Sequence, residues 1–153
     1  MTTPTLRATP ELVATAWLKT VVGDIVATTL PKPGTDGPSW ETTGFVTLTT
    51  VGGTPNLYVP LRTPALGVDC WATNSQSQKP PWNKAACLAE AIQAACYDHP
   101  GIPQTVALPT GYPAARVLSA YTTGDHRRVY DDASSYARYS IPGLVIAWTE
   151  VAS

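Results

Sequence analysis

At 153 residues, 44% of them hydrophobic, the chain is long enough for one hydrophobic core and too short for two comfortable domains, which predicts a single domain over residues 1–153. A formal net charge of −1 offers no basic excess for neutralising a phosphate backbone, so sequence-specific nucleic acid binding is not expected. No apolar run reaches the roughly 18 residues of a membrane span, and the opening MTTPTLRATP lacks the basic-then-apolar order of a signal peptide, which predicts a chain made and assembled in the cytoplasm without membrane contact.

Residues 1–8 read as a flexible N-terminal tail. Thr9 is placed to cap a helix, Pro10 suits its first position and Glu11 complements its dipole. Leu12, Val13, Ala16, Trp17 and Val21 then fall near one stripe, which predicts a first helix of about three turns. LPKPGTDGPSW is too rich in Pro and Gly for helix or sheet and predicts a loop of about ten residues.

The stretch GFVTLTTVGGTPNLYVPLRTPALGVDCWAT is rich in β-branched and aromatic residues and is cut by GGTPN and RTP, which predicts three consecutive antiparallel strands. In the middle one, Leu57, Val59 and Leu61 would share a face, with Pro60 marking an edge or a bulge. In the third, Leu66, Val68, Cys70 and Ala72 point one way while Asp69 and Trp71 point the other. Cys70 therefore reads as a small core residue.

A linker leads to a second helix, roughly Trp82 to Tyr97, stopped by Pro100 and Gly101, with Ala85, Leu88, Ala89, Ile92, Ala95 and Cys96 on one arc. QTVAL, ARVLSAYTT and SYARYSIPGLVIAWTEV read as further strands, with Pro142-Gly143 marking a bulge or bend in the last. Between the last two lies the polar loop GDHRRVYDDAS. The fold class is α+β, two helices packed on a largely antiparallel sheet of about five or six strands.

Chemistry-bearing motifs are sparse. The three cysteines form no C-x-x-C pair, and an odd count fits a reducing compartment. Cys87 and Cys96, nine residues apart, face opposite sides of a helix, and Cys96 with His99 lacks the further ligands a structural zinc needs. No metal and no cofactor are expected. Neither His99 nor His126 accompanies a nucleophile motif, and phosphate-cradling Gly loops are absent. Asp131-Asp132 beside Arg127-Arg128 reads as solvated charge or a subunit contact rather than a hydrolase dyad, and the chain is not expected to be an enzyme. Tyr136, Arg138 and Ser140 alternate on one strand face, as ordinary residues of a half-exposed surface. Charged residues at 14%, against roughly 25% in a typical soluble domain, suggest that partners cover part of the surface.

Residues 40–140 or so carry a resemblance. YVPLRTPALGVDCWATNSQSQKPPWNKAACLAEAIQAAC, followed by ARVLSAYTTGDHRRVYDDASSYARYSI, resembles the tail terminator proteins of long-tailed phages infecting actinobacteria. The pattern is an L-R-x-P turn, a strand ending D-C-W-A, a K-P-P-W-x-K-A helix start, and a late arginine pair before a Y-A-R-Y strand. It implies a small α+β protein that forms a ring, expected to be hexameric, on the finished tail tube. Such a ring stops tail growth and makes the surface that joins the head connector, at the head–tail junction of the virion. The chain departs in Pro142-Gly143, which interrupts the final strand. Self, the tail tube protein and the head–tail connector or stopper protein are the partners so implied. Interface candidates are Arg127, Arg128, Asp131, Asp132, Arg62, Asp69 and Trp71. A head-side connector or stopper shares the same composition and ring symmetry and is the alternative; a small enzyme is the remaining one.

Overall fold

The structure is a computed structural model that describes residues 6–31, 40–74, 81–98, 101–129 and 136–151. The loop expected over 30–40 falls mostly outside the described residues, as do residues 1–5, His99, Asp131 and Asp132. Ala8 is buried and its N–H donates to Glu150 Oε1 at 3.0 Å, while Arg7 pairs with the same carboxylate at 3.0 Å.

Helix α1 (Pro10–Val22) begins where capping chemistry places it: Thr9 Oγ1 accepts from the Leu12 N–H at 3.3 Å and proline opens the first turn. Its buried face is Val13, Ala14, Trp17 and Leu18, rotated from the expected stripe. Apolar residues cover so much of this helix that periodicity alone does not centre the stripe, and Trp17 and Leu18, both fully buried, take the interior. Leu12 and Ala16 are left at its flank.

Among the described residues the sheet has seven strands: β1 (Val26–Ala27), β2 (Phe45–Gly53), β3 (Pro64–Ala72), β4 (Gln104–Val106), β5 (Ala115–Thr122), β6 (Arg127–Arg128) and β7 (Ala137–Glu150). Their order is β1-β2-β3-β7-β5-β4, with β6 pairing the first half of β7. All pairs are antiparallel except β1 with β2. Helix α2 (Trp82–Ala95) ends slightly before the expected Tyr97. The α+β class, with two helices on a largely antiparallel sheet, agrees with the sequence.

The buried sides of both helices join Val46, Leu48, Leu66, Val68, Cys70, Ile141, Leu144, Ile146 and Trp148 in one core. Alternation in β3 is strict: every second residue from Pro64 to Ala72 is buried, and those between are half-buried. The bulge expected at Pro142-Gly143 is present, since Leu66 faces Leu144 while Val68 faces Ile141, giving β7 one extra residue. The strand continues through it and changes partner there, from β6 before to β5 after.

One expected strand is absent. Between β2 and β3 only Arg62 makes a bridge, to Trp148, and residues 57–60 are a loop tip. Asn56 Oδ1 accepts from the N–H groups of Tyr58 at 2.8 Å and Val59 at 3.1 Å, so a side chain takes the donors a ladder would need. Pro55 and Pro60 bracket the turn and supply no donors of their own.

Candidate functional site

On the sheet face opposite the core, Asp69 and Trp71 of β3 meet β7. Arg138 donates to Asp69 Oδ2 at 3.0 Å and its guanidinium lies 5.1 Å from the Trp71 ring centre. The Trp71 indole N–H donates to Thr47 Oγ1 at 2.9 Å. Tyr136 stands edge-on to Trp71 at 6.5 Å and to the buried Trp40 at 5.2 Å. Asp69 and Trp71 thus find a donor, an acceptor and aromatic cover within this chain, the donor Arg138 and the ring of Tyr136 coming from the strand face on which the sequence places them and the acceptor Thr47 from β2. Cys70 points the other way and is fully buried.

Arg127 and Arg128 separate. As consecutive residues of β6 they take opposite faces: Arg128 faces Tyr139 in register and its guanidinium lies 4.5 Å over the Trp82 ring at the start of α2. Arg127 faces Ser140, which in turn faces Asp69, so it shares the outer face. It is exposed and forms no ion pair among the described residues. The polar loop is pinned along α2 at two further points: Gln93 donates to Asp125 Oδ1 at 3.2 Å, and His126 Nε2 lies 2.7 Å from Glu90 Oε1. Charge pairing inside the loop is therefore not what orders its described part.

Arg62 lies at the other end of β7. Its backbone exchanges two 2.9 Å hydrogen bonds with Trp148 and its guanidinium sits 5.5 Å from that indole. With Arg7, Pro60, Trp148 and Glu150 it borders a cleft of about 540 Å³. Beside the cleft projects the feature that sequence reasoning missed: Leu57, Tyr58 and Val59 are 84%, 89% and 51% exposed. The signal was available in Asn56 between Pro55 and Pro60, a turn composition within an apolar run.

Titratable groups are dispersed. Among the described residues no three of His, Cys, Asp and Glu converge as metal ligands, and neither Asp69 nor His126 lines any of the four principal clefts. The three thiols are free. Burial, helped by the Asp69 carboxylate, raises the Cys70 thiol from 9.0 to about 12, and burial raises Cys96 to about 11. Both are held protonated in the fold, so the stability they contribute is intact below the unfolded value near 9.0 and is lost as pH climbs through about 11 and 12. A thiol reagent at pH 8 is expected to label exposed Cys87 first, half-buried Cys96 slowly, and Cys70 only on unfolding. Rapid labelling of all three in the native protein would contradict this burial.

No protein-family model and no curated protein matches the chain. Among solved structures, a chain of a native gene transfer agent (GTA) virion particle matches with a TM-score of 0.50 and 12% identity, over 86% of this chain and 84% of that one. At that identity the likeness is one of fold.

Proposed function

We propose that this chain is a structural protein of a tailed virion, a tail terminator. In this reading it caps the tail tube as a closed ring, ends elongation and offers the joining surface to the head connector. The observation that carries the proposal is the near full-length fold likeness to a chain of a gene transfer agent virion. The sequence resemblance to phage tail terminators supports the finer assignment. Dispersed titratable groups and apolar or arginine-bearing surfaces suit assembly better than turnover.

Loss of the chain from an assembling phage should then yield overlong tails that fail to join heads. Tails of normal length beside unjoined heads would instead mark a head-side stopper.

Within this reading Arg127 is the arginine that reaches a neighbour, because Arg128 is occupied on Trp82. Asp131 and Asp132, in the same segment, remain partners proposed for the same contact, while Asp69 and Trp71 hold the outer face in shape. Arg127→Glu is expected to change stability by no more than about 0.5 kcal/mol, as at other exposed sites, and to abolish capping of tail tubes. Arg128→Glu is expected to cost about 0.5–2 kcal/mol through the lost cation–π contact. Thermal melting and electron microscopy of tubes separate the two, and normal capping by Arg127→Glu would remove this arginine from the interface.

A further inference from the structure

The two sides of the sheet differ in cover and in charge. Both described helices pack on the core side, so neither covers the outer face. At the centre of that face Ala65, Gly67, Val145 and Ala147 form a shallow floor of small and apolar residues, with Tyr121 beside it at 55% exposure.

Strand register puts four charged side chains on the outer face: Asp69 of β3, Arg138 of β7, Arg127 of β6 and Arg116 of β5. Asp69 is neutralised by Arg138. That leaves Arg116 and Arg127, both exposed and neither in an ion pair among the described residues, as a net positive charge on this face. Arg116 touches only the neutral Thr105 hydroxyl, at 3.2 Å.

The opposite side of the molecule is charged the other way. From Ala85 to Asp98 the chain has no lysine or arginine, yet Glu90 and Asp98 are exposed there and Gln93 holds the exposed Asp125 against the same helix. None of these three carboxylates pairs with a lysine or arginine among the described residues, and the C-terminal end of the α2 dipole adds to their sign. Between the acids, α2 exposes only the small side chains of Cys87, Ala91 and Ala94, which permit close approach to a sheet.

We infer that the outer sheet face of one copy receives the C-terminal half of α2 of a second copy, with Arg116 and Arg127 set against Glu90, Asp98 and Asp125. Charge decides the occupant. Sheet on sheet would oppose arginine to arginine, helix on helix would oppose acid to acid, and only sheet on helix is complementary. Each copy carries both halves, so the contact repeats head to tail until rotation closes it. The inference rests on the ring reading above for that closure and gives its Arg127 a partner, while the contact itself needs only two copies.

Charge reversal tests it, because reversing either side alone leaves like charges facing each other. Arg116→Glu with Arg127→Glu in one chain, and Glu90→Lys with Asp98→Lys in another, should each lose the multimers that the parent forms at low ionic strength, alone or on tail tubes. All four positions are exposed, and circular dichroism checks that both chains stay folded. Mixed in equal amounts, the two chains should regain multimers in which they alternate. Parent-like multimers from either chain alone, no recovery in the mixture, or recovery only as a dimer of one of each overturns the inference.

A second measurement does not depend on reversal. Arg127→Lys chains, one half of them isotopically heavy, are treated with a carbodiimide that joins a paired amine and carboxylate directly. Mixed light and heavy peptides linking position 127 to Glu90, Asp98 or Asp125 are expected. Links confined to single copies, or to tube subunits, overturn the contact. Electron microscopy of the same samples separates the two ideas: linked open chains support the contact and sink the ring reading, whereas rings without the link sink the contact alone.

Discussion

Trp148→Ala is expected to destabilise the fold by about 3–5 kcal/mol, the range for removing a buried large aromatic side chain. For a chain of this length that corresponds to a fall in melting temperature of roughly 10 °C or more. Trp148 is 1% exposed and is among the largest fully buried side chains, packed with Ala115, Val117 and Ile146 in the core. It also carries the Arg62 guanidinium on its ring, so its loss loosens the loop tip as well as the interior. Trp148→Phe is the informative companion. The indole Nε1 is buried without a hydrogen-bond partner among the described residues, so phenylalanine keeps most of the packing and removes an unsatisfied donor. Melting followed by circular dichroism should place the Phe variant well above the Ala variant. Equal losses would mean that the indole donor has a partner that matters more than the packing.

How much of this was legible in the sequence depends on the range of the interaction involved. Thr9-Pro10-Glu11 specifies the start of α1 through bonds within one turn, and strict alternation from Leu66 to Ala72 sets both faces of β3, including the inward Cys70 and the outward Asp69 and Trp71. Pro142-Gly143 marked its bulge for the same local reason. The strands β1 and β6 are two residues long and carry no periodicity to detect.

Pairing of β6 with β7 is what sends Arg127 and Arg128 to opposite faces, so their adjacency in sequence suggested a joint role that the sheet divides. The 57–62 run looks like a strand by composition, yet a single asparagine side chain captures two of its amides. A groove beside α1 arises from packing between α1 and the segment from β4 to Pro109, remote in sequence, and no local pattern announces it.

The base of the tip gives the second large effect. Gly53, the last residue of β2, has φ of +113°, and a Cβ there would lie 2.6 Å from Pro64 Cα, 2.6 Å from the Thr63 carbonyl oxygen and 3.0 Å from Ala65 N. All three are backbone atoms of the opposing strand or its approach, so nothing flexible can yield. Gly53→Ala is therefore expected to cost about 2–4 kcal/mol from strained backbone and forced separation of the strands. Gly52 is the matched control one residue earlier: it lacks the positive φ and a Cβ there meets nothing within 4 Å, so Gly52→Ala should be close to neutral. The Gly53–Pro64 pair closes the β2–β3 ladder just before the tip. Opening it should therefore displace the Leu57–Val59 tip, even at temperatures where the core remains folded. Similar melting temperatures for the two alanine variants would show that the strands can part at Gly53 without penalty, and the tip would then owe its conformation to the Asn56 turn alone.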